Sequence, residues 1–127
     1  MTETQMLELM VRFRTAYAAG DRDGLIANTT EDFQWHQHYA ETASELPTGR
    51  ILNGIDALLE QLQWRSEHWR DVRYANLEER AAADVLLQTF SISGTEDGQP
   101  FAAKVVDLYP VKAGKSCRKD TYWKYQK

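Results

Sequence analysis

Histidines at 36 and 38, and aspartates at 107 and 120, are the side chains of this sequence best suited to acid–base chemistry. His36 and His38 lie in DFQWHQHY, residues 32–39, two apart, so on a β-strand both imidazoles leave the same face. An imidazole titrates near neutral pH and suits general base work. As a metal site the pair needs at least one more ligand, and no motif spacing ties His68 or Glu41 to it, so no metal is assigned. Asp107 interrupts an apolar strand face formed by Phe101, Ala103, Val105 and Tyr109, where desolvation favours the neutral, hydrogen-donating acid. The other readings for Asp107 are a structural hydrogen bond or a pairing with a lysine or arginine. Asp120 shares a face with Tyr122, and Thr121 and Trp123 take the other; its plain reading is an exposed partner of Lys119 or Arg118.

These residues need elements to hold them. Met6, Leu9, Met10, Phe13, Ala16 and Tyr17 make one stripe of an amphipathic helix over residues 2–19. Gly20 ends that helix, and Asp21 caps a shorter one running to about Asn28. DFQWHQHY alternates as a strand, with Phe33, Trp35, Gln37 and Tyr39 on one face and Gln34, His36 and His38 on the other. Residues 40–52, with Pro47 and Gly49, read as a loop. Asn53 with Asp56 resembles a capping box opening a helix to about Trp69, whose buried stripe is Ile55, Leu58, Leu59, Leu62, Ser66 and Trp69. Trp64 and His68 fall opposite that stripe. Four strands follow, VRYANLEER, VLLQTFSIS, PFAAKVVDLYPV and KSCRKDTYWKY, with a hairpin loop at Gly94–Gly98 and another at Lys112–Lys115. Helices first and strands after imply an α+β fold, an antiparallel sheet covered on one face by helices.

At 127 residues and 43% hydrophobic content the chain is read as one domain, residues 1–127, able to bury a core without staples. Its single cysteine, Cys117, excludes an internal disulfide and suits a reducing cytoplasm. The acidic start MTETQMLELM does not read as a secretory signal, and no window nears the roughly 18 apolar residues of a membrane span. A net charge of −4, with interleaved signs, argues against a nucleic-acid partner.

Three phrases carry a family resemblance: AYAAGDRDGLIANTTEDFQWH, GRILNGIDALLEQL, and the segment from GQPFAAKVVDLYPVKAGK to TYW. Together they resemble the nuclear transport factor 2-like superfamily, in its SnoaL-like and ketosteroid-isomerase-like branch. The resemblance implies a curved sheet forming a cone, with three helices of the N-terminal half on its concave face and a small-molecule cavity between. It also implies a homodimer through the outer sheet face, where Val106 and Leu108 lie. Ketosteroid isomerase uses an Asp base and an oxyanion hole of Tyr and protonated Asp. By resemblance the neutral acid falls on Asp107 and the tyrosine on Phe13, which has no hydroxyl, leaving Tyr17 one turn later. The base falls near Gln37, which cannot abstract a proton.

SnoaL-like cyclases use a histidine–aspartate pair in the cavity. His36 with Asp120 would recreate one, provided a β-bulge turns the histidine inward. The expected catalytic set is therefore Asp107, His36 and Asp120. Phe13, Tyr17, Trp35, Gln37, Leu58, Leu62, Trp69, Phe90, Val105, Tyr109 and Trp123 are expected to line the pocket. The implied activity is isomerisation, cyclisation or dehydration of a small apolar carbonyl compound. No redox or nucleotide cofactor is implied, for the chain has no glycine-rich phosphate loop. The competing reading is a ligand-binding or dimerisation module without turnover.

Overall fold

A computed structural model describes residues 1–39 and 49–126. The first helix, α1 (Glu3–Ala19), begins at a reciprocal cap in which the Gln5 amide N–H donates to Thr2 Oγ1 and the Thr2 N–H to Gln5 Oε1. Gly20, at φ 62°, closes it in the left-handed conformation. Met6, Leu9, Met10, Phe13 and Ala16 are buried, the stripe that the spacing implied. Asp21 caps α2 (Arg22–Ala27) by accepting from the Gly24 N–H. Strand β1 (Thr29–His38) follows, then β2 (Arg50–Asn53), α3 (Gly54–His68), β3 (Trp69–Ala82), β4 (Val85–Glu96), β5 (Gln99–Lys112) and β6 (Lys115–Tyr125).

The strands form one open six-stranded sheet in the order β2-β1-β6-β5-β4-β3. All neighbours are antiparallel except β1 and β6, which run parallel, so the sheet is mixed. The three helices pack on one of its faces, burying Leu9, Phe13, Leu25 and Leu58 against Phe33 and Trp35. Strand β3 carries two register irregularities, between Arg70 and Arg73 and between Ala75 and Glu78. Asp71 and Asn76, at φ 55° and 58°, sit inside them. Such bulges bend a strand and sharpen its twist, which curls the β3 edge of the sheet toward the helices.

Three local expectations are corrected. The end of the expected 40–52 loop is strand β2, because Arg50 to Asn53 pair with β1; residues 40–48, and the ligand candidate Glu41, lie outside the described residues. Asn53 makes no side-chain cap; pairing opposite Gln34 instead lets its Oδ1 accept from Gln34 Nε2 at 2.7 Å, and Asp56 is drawn to Arg22 at 2.8 Å. The hairpin at Gly94–Gly98 is a tight turn at Asp97 and Gly98, both at positive φ (49° and 83°), with Gly94 kept in β4 by its pairing with Phe101. On α3, Ile55 and Leu58 are buried and Leu59 and Leu62 pack on the core. Ser66 is exposed, and Gln61 is buried in place of a sixth apolar position. Trp64 is 38% exposed and stacks on His68 at 4.3 Å. Among the described residues no helix is long and apolar enough to cross a membrane.

Candidate active site

Between α1, the end of α3 and the concave face of β3 to β6 lies a cavity of about 430 Å³. Strand alternation decides what it sees. On β5, Val105, Asp107 and Tyr109 face inward; on β6, Lys119, Thr121 and Trp123 do. Across the sheet, Gln88 pairs with Asp107, Asp107 with Thr121, and Thr121 with Gln37. All four side chains are buried, so a polar row crosses an otherwise apolar concave face.

A directed hydrogen-bond chain organises that row. Trp35 Nε1 donates to Thr121 Oγ1 at 2.8 Å, so the Thr121 hydroxyl hydrogen goes to Asp107 Oδ1, 2.5 Å away. Lys119 Nζ donates to the other carboxyl oxygen at 3.2 Å and to the Tyr109 hydroxyl at 2.9 Å. Tyr109 in turn donates to Gln88 Oε1 at 3.5 Å; Gln88 Nε2 donates to Glu79 at 2.8 Å, and Glu79 is clamped by Arg14. The chain thus leads from the deepest wall toward the surface. Both oxygens of Asp107 accept, which is the arrangement of a carboxylate rather than of the donating acid anticipated there.

Lys119 and Asp107 are 4% and 1% exposed, so this is a buried ion pair. Burial pushes the Lys119 ammonium below the ordinary lysine range; Asp107 pulls it back up, and Arg65 adds to the lowering. Its Nζ also lies 4.7 Å from the Tyr17 ring centre and 5.1 Å from those of Trp35 and Tyr109, within cation–π reach. Burial, and then the nearby Asp107 charge, push the Tyr109 phenol well above its usual value.

A second cation stands at the end of α3. Arg65 lies 4.3 Å from the ring centre of Trp69, 5.0 Å from Trp35 and 5.9 Å from Trp123. Its Nη1 donates to the Tyr17 hydroxyl at 3.2 Å and its Nη2 to Tyr39 at 3.4 Å. Burial raises the Tyr17 phenol, and Arg65 opposes that shift.

Of the expected lining residues, Phe13, Tyr17, Trp35, Phe90, Val105, Tyr109 and Trp123 border the cavity. Leu58, wholly buried, and Leu62 pack into the core instead, because the helix turns them toward β1 rather than toward the open end. Gln37 and Trp69 border an adjoining open recess by Tyr39 and Arg50; the buried Gln37 Nε2 has no partner among the described residues. His36 and Asp120 lie on the opposite face of the sheet from Asp107. The β1–β6 pairing is regular from Gln34 to His38, with its one irregularity before Gln34, so no bulge turns a histidine inward. Asp120 is 6% exposed rather than open to solvent, because His38 at 3.1 Å and Arg118 at 2.7 Å close over it.

His36, His38 and Asp120 could offer ligand atoms within 4.8 Å of one another. The Arg118 guanidinium, however, already occupies the carboxylate a cation would need, and Gln34 bonds His36 at 2.9 Å. Burial lowers the His36 pKa, and Asp120 partly offsets it.

Lys119 and Arg65 are absent from the expected site, though both left a trace in the sequence. Lys119 shares the parity of Thr121 and Trp123 on an alternating strand. Arg65 continues the spacing of Leu58 and Leu62 along the buried side of α3.

Comparison with known proteins agrees with this architecture. The SnoaL-like domain family model matches residues 10–119. An NTF2-like protein from Burkholderia xenovorans superposes with a TM-score of 0.81 at 24% identity, over 98% of this chain and 92% of that one. A protein described as a SnoaL-like polyketide cyclase from Jannaschia gives a TM-score of 0.72 at 16% identity, over 95% and 86%. A protein with a ketosteroid isomerase-like fold from Catenulispora acidiphila, in complex with trimethylamine, gives 0.68 at 14% identity, over 91% and 84%. No curated protein matches the chain in sequence. With three helices on a curved open sheet, and the family model spanning most of its length, the chain belongs to the SnoaL-like domain family.

Proposed function

We infer that the cavity receives a small, mostly apolar carbonyl compound, and that the protein acts on it by acid–base catalysis, as an isomerase, cyclase or dehydratase. The observation that carries this reading is the Lys119–Asp107 ion pair buried on an aromatic wall of the cavity. A buried, paired acid and base beside an apolar cavity is the setting in which proton transfers are tuned. Lys119 uses two of its N–H groups on Asp107 and Tyr109, leaving the third for a carbonyl oxygen. A hydrogen bond from an ammonium in this low-dielectric setting stabilises the charge that develops as the adjacent carbon loses a proton. Asp107 is the proton acceptor nearest that oxygen. Lys119 thus fills the donor role that Phe13 lacks the hydroxyl to perform.

A binding role without turnover is favoured by one observation: the position expected to hold the family base carries Gln37. One experiment separates the two. The protein is incubated in heavy water with a panel of cyclic enones and β-keto esters. Binding is followed by thermal shift, and α-proton exchange by NMR. Binding with exchange that Lys119→Met and Asp107→Asn abolish supports catalysis. Binding without exchange leaves the binding module, and no binding to any member of the panel sinks both.

A second copy of the chain on the outer sheet face completes this reading. Val106 and Tyr122, paired across β5 and β6, are 37% and 43% exposed there, and Ile51 on β2 is 43% exposed.

A further inference from the structure

Arg65 is a half-buried cation with no carboxylate in ion-pair contact among the described residues. Its Nη atoms reach two phenols, Tyr17 and Tyr39, both neutral acceptors, and its Nε is buried with no partner. The carboxylates near the cavity are already engaged: Asp107 by Lys119 and Thr121, and Glu79 by Arg14. Those two acids are each matched to one cation, and Glu96, in the adjoining recess, accepts from the neutral Trp69 indole, so among the described residues no carboxylate pairs directly with Arg65 on its largely aromatic wall. A guanidinium taken out of water is ordinarily matched by a carboxylate or phosphate, because leaving it unmatched forfeits hydration that neutral hydroxyls replace only in part. Three indole ring centres lie 4.3–5.9 Å from its Cζ and two phenols accept from its Nη atoms, so the guanidinium is held in place before any ligand arrives.

We propose that Arg65 is the recognition group for the anionic end of the ligand, so that the cavity selects small aromatic or alicyclic carboxylates over their neutral analogues. This rests on the reading that the cavity receives a small molecule. A carboxylate fits better than a phosphate dianion, because one surplus positive charge balances one negative charge and a planar pair of oxygens matches the guanidinium fork. A cationic ligand is disfavoured, since Arg65 already sets a positive charge against Trp35, Trp69 and Trp123. Arg65 and Lys119 approach the Trp35 ring centre to 5.0 and 5.1 Å, so a ligand held at its carboxylate by Arg65 reaches Lys119 within the length of one ring system.

The test uses a matched pair of probes, 2-naphthylacetate and 2-naphthylacetamide, which differ in charge and scarcely in shape. Binding is read by quenching of tryptophan fluorescence and by calorimetry at neutral pH. The wild-type chain is expected to bind the acid at least tenfold more tightly than the amide, and Arg65→Met to lose that preference while still binding the amide. Equal affinity for both probes, tighter binding of the amide, or a preference that survives Arg65→Met overturns the assignment. If Arg65→Met does not fold, the wild-type comparison still decides the question. Amide binding without acid preference refutes the Arg65 role and leaves the cavity reading standing. Failure of both probes, together with failure of the enone panel, removes both.

Discussion

Cutting the Lys119–Asp107 pair from either side should cost nearly as much as removing both partners together, so the two losses should not add. At 3.2 Å, and with an effective dielectric of about 20, Coulomb's law gives roughly 5 kcal/mol of attraction. Desolvation of two groups that are 5% and 1% exposed as side chains offsets much of that, so the pair's net worth is small. Asp107→Asn leaves a buried ammonium facing an amide, and Lys119→Met leaves a buried carboxylate held by Thr121 alone. Each single change is expected to cost about 3–5 kcal/mol. The double variant Asp107→Asn/Lys119→Met strands no charge and should fall well short of the sum, with a coupling energy of about 2–4 kcal/mol. Urea unfolding monitored by tryptophan fluorescence measures all four corners of the cycle. Because a domain holds only about 5–15 kcal/mol in total, the singles are best measured at low temperature and against an unchanged urea slope. Additivity within about 0.5 kcal/mol would refute the pairing, for it would mean the two groups do not sense each other.

Three further outcomes are expected. Leu58→Ala should cost about 2–5 kcal/mol in urea unfolding, because the side chain is wholly buried, whereas Leu77→Ala at the 48%-exposed β3 edge should stay within about 0.5 kcal/mol. In a proton NMR titration the His36 imidazole should show its midpoint below 6.5, since burial disfavours the imidazolium; Asp120→Asn should lower it further by removing the carboxylate that opposes that shift. A folded pKa below the unfolded one means that the His36 contribution to stability improves as pH rises through the folded midpoint and is complete above 6.5. Val106→Glu with Tyr122→Glu should turn a dimer into a monomer in light scattering, and a wild-type monomer would remove the outer-face assembly altogether.

Local periodicity determined much of this protein before any contact was known. The 3–4 spacing from Met6 to Ala16 set which side of α1 is buried, and the Phe33–Trp35–Gln37 alternation set which side of β1 is. These are single-segment properties, legible because a helix and a strand each repeat their facing at a fixed period. The same rule put Asp107 on the concave face and kept His36 off it, but β6 alternates too weakly to choose between Asp120 and Thr121, and only its pairing with β5 turned Thr121 and Trp123 inward. What periodicity could not supply was pairing between distant segments. The parallel docking of β1 on β6 brings Trp35 to Thr121, 86 positions away, and with it the chain through Asp107 to Lys119. Strand β2 was hidden in a loop-like stretch because four residues gain strand geometry only by pairing with β1. Arg65 was no part of the expected site, because its setting exists only where Trp69, Trp35 and Trp123, drawn from three strands, enclose it. The electrostatics of the cavity therefore belong to the tertiary structure: burial and counter-charge depend on which segments meet, and no local pattern encodes that.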